Sequence, residues 1–258
     1  MNILDTIVAK KKEEVAARKA LVSSAELEKQ ALFTRPTLSL VQSLVHPERT
    51  GIIAEFKRKS PSKGIINGQA DVVDVTKAYT QYGASGLSVL TDESFFGGTS
   101  DDLLKARVNE IPVLRKDFII DEYQITEARA IGADVILLIA ACLTPQEVQK
   151  LAAFAKSLQL EVLLEIHDET ELGHICDETD LVGVNNRNLK TFEVDINTSL
   201  RLISHMPASK PGVAESGISS PEAIKTLKEA GFKGFLIGEN FMKQPLPSVA
   251  FADFVKQL

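Results

Sequence analysis

The chain has 258 residues, 44% hydrophobic and 25% charged. That is the composition of an ordinary globular protein with room for one large domain, which should bury roughly three-quarters of its unfolded surface. A net charge of −6 argues against a nucleic-acid or membrane-surface partner, though not against an anionic substrate held by local cations.

Residues 1 to about 45 read as helix. Ile3, Leu4, Ile7, Val8 and Val15 fall on one stripe at helical spacing. The charge run from Lys10 to Glu14 is expected to form a solvated face. Because Lys10-Lys11-Lys12 follow an amphipathic start, a signal peptide is not expected. No run approaches the length of a membrane span. Ser23-Ser24-Ala25-Glu26 is a capping box that opens a second short helix. Cys142 and Cys176 stand far apart without a ligand motif. They are expected to be buried free thiols of a cytoplasmic protein.

From Gly51 the chain alternates. Strand-like apolar runs are expected at Ile52–Lys57, Gly86–Leu90, Pro112–Lys116, Asp134–Ala140, Glu161–Ile166, Leu181–Asn185, Gly212–Ser216 and Gly234–Gly238. Amphipathic helical stretches lie between them. Thr144-Pro145-Gln146-Glu147 is a capping box with proline at the first helical position, and Ser220-Pro221-Glu222 resembles it. Gly83, Gly132 and Gly231 each stand where a left-handed helix cap is expected. Eight strand–helix units predict an α/β fold, a single (β/α)8 TIM barrel over residues 1–258 with residues 1–45 as an N-terminal helical extension. An open doubly wound sheet is the competing architecture, but it usually carries a G-x-G-x-x-G turn after its first strand, and none is present.

Barrel active sites lie at the C-terminal ends of the strands. Five strands here end in polar groups. The first carries Glu55 and Lys57 on one face, followed by the polar loop Ser60-Pro61-Ser62-Lys63-Gly64, whose hydroxyls, N–H groups and cation suit a phosphate. The third ends in Lys116, with Arg115 and Asp117 at the opposite parity and so expected to face helices or rim. The fifth carries Glu165, the sixth ends in Asn185, Asn186 and Arg187, and the seventh ends in Glu215 and Ser216. His167 is expected at a helix-facing or rim position. Charged residues are seldom buried without partners, so this convergence predicts one polar mouth. Lysine and glutamate in one cavity suit proton transfer, and a lysine also permits a Schiff base. No spacing suggests a metal or an acyl-transfer triad. Ser216-Gly217 and Gly238-Glu239 follow strands seven and eight, the usual place for a barrel phosphate site.

The segments EFKRKSPSKG, VLTDESFFGG, LRKDFIIDEYQITEARAIGADVILLI, VNNRNLKTFEVD and VAESGI resemble, in order, those of the indole-3-glycerol phosphate synthase family of tryptophan biosynthesis. The resemblance implies a barrel with an extra N-terminal helical segment. It implies ring closure, decarboxylation and dehydration of 1-(2-carboxyphenylamino)-1-deoxyribulose 5-phosphate, without cofactor or metal. Lys116 would be the general acid at the substrate carbonyl, and Lys57 would hold the substrate carboxylate and assist proton transfer. Glu165 would be the acid/base for dehydration. Glu55 and Glu215 would orient the lysines and substrate hydroxyls, with Asn185 touching the substrate. Ser60, Arg187, Ser216, Gly217, Gly238 and Glu239 would bind the phosphorylated substrate. Glu239 stands where relatives commonly carry a small polar residue, so its side chain is expected to point away from the phosphate. A monomer is expected. Two other readings compete. A neighbouring phosphate-binding isomerase barrel would lean on a cysteine–aspartate pair, but no aspartate of suitable parity accompanies Cys142. An inactive binding barrel would carry Lys57, Lys116 and Glu165 as costly buried charges without a task.

Overall fold

A computed structural model describes residues 3–189 and 191–258. Met1 and Asn2, at the start of the expected N-terminal helix, lie outside the described residues. Eight parallel strands close into a barrel. They are β1 (Ile52–Phe56), β2 (Gly86–Leu90), β3 (Val113–Lys116), β4 (Val135–Ile139), β5 (Glu161–Ile166), β6 (Leu181–Asn185), β7 (Gly212–Glu215) and β8 (Gly234–Ile237). Strand β8 closes the ring on β1 with Leu236 opposite Ile53. A hairpin of two short strands, Lys59–Ser60 and Gly64–Ile65, caps β1.

Alternation sorts the side chains. Ile53, Leu114, Leu137, Leu163, Leu181, Val213 and Leu236 pack together inside the barrel. Ile52, Ala54, Leu87, Val89, Ile136, Val162, Val182 and Phe235 pack against the surrounding helices. Both faces are covered, which is why the strands are almost wholly apolar. Capping behaves as the sequence predicts. Ser23 with Glu26 and Thr144 with Glu147 close capping boxes, and Gly83, Gly132 and Gly231 all have positive φ.

The N-terminal segment adds a further helix to the two expected. It forms α1 (Ile3–Leu21), α2 (Ser24–Leu27) and α3 (Leu40–Val45), with a turn-rich stretch before α3. That stretch is pinned to strand feet. Asp134 at the foot of β4 takes the Leu38 N–H at 2.9 Å and pairs with Arg35. Glu161 at the foot of β5 takes the N–H groups of Leu40 and Val41 at 2.8 and 3.1 Å. Pro36 disfavours helix at the residue before it. Helix α3 then plugs the lower end of the barrel with Leu40 and Leu44.

Helix α1 crosses the opposite end. Its buried stripe runs Ile7, Lys11, Val15, so Lys11 is not on a solvated face as the charge run suggests. Its ammonium lies 2.7 Å from Asp92, 3.0 Å from Asp117 and 2.9 Å from Glu14. The spacing of four from Ile7 and four to Val15 puts it on the inner stripe. Two carboxylates after β2 and β3 make that burial tolerable. Arg115 faces the helices as parity requires, 2.6 Å from Glu127 and 3.1 Å from Asp117. The cysteines are free but only half-buried.

Candidate active site

One cavity opens at the C-terminal ends of the strands. Glu55, Lys57, Ser60, Lys116, Glu165, Asn185, Arg187, Glu215, Ser216 and Glu239 all line it. Strand register sets their common level: Ile139 pairs with Glu165, Glu165 with Gly183, Asn185 with Glu215, and Glu55 with Ser88. Gly217 and Gly238 line an adjoining cavity instead, together with Lys57, Lys63, Arg187 and Lys243. Ser60 lies on the first cavity and not the second, away from the other residues expected at the phosphate.

The charges inside are paired. Lys116 Nζ is 2.6 Å from Glu215 Oε2 and 3.0 Å from Glu165 Oε2. Lys57 Nζ is 2.8 Å from Glu55 Oε1, whose other oxygen accepts from Ser88 at 3.3 Å. Asn185 donates to Glu165 Oε1 at 3.2 Å and accepts the Arg187 N–H at 3.0 Å. The Lys116 side chain keeps 15% exposure, enough for a ligand to reach it.

Protonation follows from these contacts. Burial alone would discharge Lys116, but Glu165, Glu215 and Glu55 outweigh it and hold the ammonium above its usual range. Burial would likewise neutralise Glu165, but Lys116, His167 and Asn185 hold it well below the usual carboxylate range. Glu215 has no such second cation. Burial pushes it up to about 7, with Lys116 opposing and Glu165 adding. Its Oε1 is buried without a hydrogen-bond partner. The two carboxylates on Lys116 are therefore unlike: one stays ionised and the other is poised to titrate near neutrality.

His167 does not face the helices or the rim. It shares the parity of Glu165, two residues earlier, and its Nε2 lies 3.2 Å from Glu165 Oε1. Its Nδ1 lies 3.2 Å from Glu171. Against its burial, these two carboxylates raise its pKa to about 10, so the ring is an imidazolium.

The backbone after β7 bends sharply through two residues at positive φ, Ser216 at +65° and Gly217 at +76°. Such a conformation costs a non-glycine residue about 1–3 kcal/mol. Asn186 braces it by donating to the Ser216 carbonyl at 3.1 Å. Gly238 permits close approach: a Cβ there would fall 2.6 Å from Glu55 Oε1. Glu239 turns toward Arg187, 3.5 Å away, with a third of its side chain exposed.

The apolar lining is what sequence reasoning missed. Ile3, Leu4 and Ile7 of α1 reach into the cavity beside Phe96, Phe118, Leu137 and Ile139. The apolar run at the start of α1 was the available signal. Its placement over a mouth some fifty residues later in the chain was not. Among the described residues no cluster of His, Cys, Asp and Glu is arranged to hold a metal ion, and no helix is long and apolar enough to cross a membrane. The cavity therefore combines buried ion pairs contributed by several strands with an apolar lining from α1, β4 and the neighbouring loops, and a second cavity, an annex lined by four cationic side chains, adjoins it.

Known proteins share this plan. A solved chain of the tryptophan synthase a2b2 complex from Pyrococcus furiosus superposes with a TM-score of 0.60 over 81% of this chain and 97% of that one. At 15% identity it speaks for the fold alone. The indole-3-glycerol phosphate synthase of Bacteroides thetaiotaomicron is 47% identical over 258 residues, covering 100% of this chain and 99% of the relative. That of Polaromonas naphthalenivorans is 44% identical over 257 residues, covering 98% of each. The indole-3-glycerol phosphate synthase family model matches residues 4–254. With the model and these full-length relatives in agreement, the chain belongs to the indole-3-glycerol phosphate synthase family.

Proposed function

We propose that this cavity closes the indole ring of 1-(2-carboxyphenylamino)-1-deoxyribulose 5-phosphate, with Lys116 as the general acid. The observation that carries the assignment is Lys116 Nζ held between Glu165 and Glu215 at 3.0 and 2.6 Å on the cavity wall. The chemistry runs from these contacts. The aromatic ring lies against Ile3, Leu4, Ile7, Phe96 and Phe118, where burial of apolar surface favours it. Lys57, oriented by Glu55, holds the ring carboxylate. Attack of the ring carbon on the ketone pushes charge onto the carbonyl oxygen, and Lys116 donates its proton there. Carbon dioxide then leaves, restoring the aromatic ring. Glu165 serves the dehydration as acid/base, Glu215 orients Lys116, and Asn185 touches the substrate while fixing Glu165. Ser60 contacts the substrate from the β1 loop. The phosphate sits in the annex, on N–H groups of the Ser216-Gly217 and Gly238-Glu239 turns, with Arg187 nearby. Gly238 opens the short helix Glu239–Met242, whose first N–H groups are free for an anion.

The described cavity draws on α1 as well as the strands, so we propose that the extension and barrel work as one catalytic domain. We place the enzyme in the cytoplasm as a monomer, with no membrane or nucleic-acid partner, in keeping with its net charge of −6. Incubation with the carboxyphenylamino substrate tests the activity. The expected result is a fluorescent indole product together with carbon dioxide. Binding without turnover would identify an inactive binding barrel instead. Size-exclusion chromatography with light scattering checks the monomer.

A further inference from the structure

A third cavity lies behind the wall made by Asn185 and Arg187. His167 and Glu171 line it, and its rim carries the exposed residues Asp168, Asn188, Glu193 and Asp195. It therefore opens to solvent. His167 joins it to the catalytic cavity. The ring is one-tenth exposed, with Nδ1 hydrogen-bonded to Glu171 at 3.2 Å and Nε2 at 3.2 Å from Glu165, an ion-pair contact not aligned as a hydrogen bond. Glu171 is itself fixed by the His167 N–H at 2.6 Å. Beyond Glu165 stands Lys116 at 3.0 Å. The row Glu171, His167, Glu165, Lys116 alternates in charge and runs from the open cavity to the reacting centre. The reaction roles above give His167 no task.

Proton balance supplies one. The substrate enters as a carboxylate and leaves as product, carbon dioxide and water. One proton goes from Lys116 to the carbonyl oxygen. A second goes from Glu165 to the same oxygen as it departs as water. One proton returns, from the former C1 methylene beside the nitrogen to the neutral Lys116 amine. Each turnover thus takes up one net proton, and it has to reach Glu165 from solvent.

Resting on the synthase reading, we propose that His167, held by Glu171, is the proton relay that recharges Glu165 from the third cavity. While Lys116 is charged it keeps Glu165 ionised. Once Lys116 has given its proton away that hold is released, and the imidazolium proton passes from Nε2 to Glu165. Glu165 then hands it to the departing hydroxyl. The neutral ring keeps its Nδ1 proton, so it flips to bring the bare Nε2 to the Glu171 and Asp168 side, takes a new proton from solvent there and flips back. His167 touches no substrate atom; it acts through Glu165.

The test uses the full chain and steady-state turnover of the carboxyphenylamino substrate at fixed pH and ionic strength, with and without added imidazole. His167→Ala is expected to lose about 10²-fold in kcat, the low end of general acid–base assistance. Its KM should stay within about threefold, since the substrate contacts remain. Added imidazole should restore kcat in a saturable way, while wild type ignores it. A packing role would not respond to a soluble proton carrier. Should His167→Ala fail to melt cooperatively, His167→Gln keeps the volume and a hydrogen-bonding amide but cannot relay, and the same kcat loss is expected. A variant within twofold of wild type, or a kcat loss indifferent to imidazole, overturns the relay. Wild type that makes no indole product would instead fail the synthase reading itself.

Discussion

Lys116 Nζ lies 2.6 Å from Glu215 Oε2, closer than to Glu165 at 3.0 Å. The shorter contact is made to the carboxyl whose pKa is raised to about 7, the longer to the one held ionised. Two carboxylates hold the ammonium charged, as the general-acid role proposed for Lys116 requires. Lys116→Met retains the stem and removes the donor. Turnover should fall by about 10²–10⁴-fold, the range general acid help supplies. Substrate affinity should hold because the phosphate and carboxylate contacts remain. Lys116→Arg should not restore turnover, because a guanidinium keeps its proton near neutral pH. Steady-state kinetics on both variants decide it, and near-native kcat in Lys116→Met would end the general-acid role.

Glu215 predicts a pH signature in stability. Burial first, then Glu165, raises its pKa from the ordinary 4.5 to about 7 in the folded chain. The folded state binds that proton more tightly than the unfolded state. The stabilisation is therefore complete below pH 4.5 and lost as pH rises through about 7. Glu215→Gln lacks this dependence. Wild-type Tm minus variant Tm should fall by a few degrees across that interval, since 1 kcal/mol moves Tm by about 2–4 °C at this size. Thermal melts at closely spaced pH values measure it. A flat difference would contradict the assignment.

Gly217 separates binding from chemistry. Its φ of +76° is one that L side chains rarely adopt, and a Cβ there would run into Val194. Gly217→Ala should raise KM about tenfold, equivalent to about 1.4 kcal/mol, with kcat little changed. It should also lower stability by about 1 kcal/mol. Unchanged affinity would remove the phosphate from this turn.

Glu239 ties up Arg187 at 3.5 Å beside the annex. A half-exposed pair of this kind is worth about 0–1 kcal/mol. Glu239→Ser frees the guanidinium for an anionic ligand and removes a competing carboxylate. KM for the phosphorylated substrate should fall, by up to about fivefold. A rise in KM would mean that Glu239 helps to hold the substrate.

Lys11 fastens α1 across the mouth. Lys11→Met would leave Asp92 and Asp117 buried without their shared cation. Breaking a buried pair in this way costs about 3–5 kcal/mol. The melting temperature should drop accordingly, and KM should rise as Ile3, Leu4 and Ile7 lose their seat on the cavity. Calorimetry and kinetics test both halves. A variant as stable as wild type would show that α1 is held by its apolar stripe alone.

How much of this was legible in the chain depends on the range over which each interaction acts. The eight strands were readable to within a residue at either end because β-structure buried on both faces demands continuous apolar runs, bounded by capping boxes and left-handed glycines. Parity was readable too. It put Lys116 inward and Arg115 outward, and a barrel then brings Glu55, Lys57, Glu165, Asn185 and Glu215 to one rim without further information. The same rule applies to His167, which stands at the parity of Glu165 and belongs on the inner face. What no local pattern carries is which distant charge neutralises which. Lys11 reads as a solvated lysine until Asp92 and Asp117 close on it from two loops some eighty and one hundred positions later in the chain. Ile3, Leu4 and Ile7 read as a helix stripe until the barrel mouth is beneath them. Lys116 takes Glu165 and Glu215 as partners across three strands, and Glu215 titrates near neutrality because Glu165, and not it, received His167 and Asn185. The sequence by itself determined the strands, their faces and the set of polar groups at one end, because those follow from periods of a few residues. Only the tertiary structure decided the pairings, the unlike protonation of two glutamates and the role of the first helix, because burial and charge compensation are properties of contacts between segments far apart in the chain.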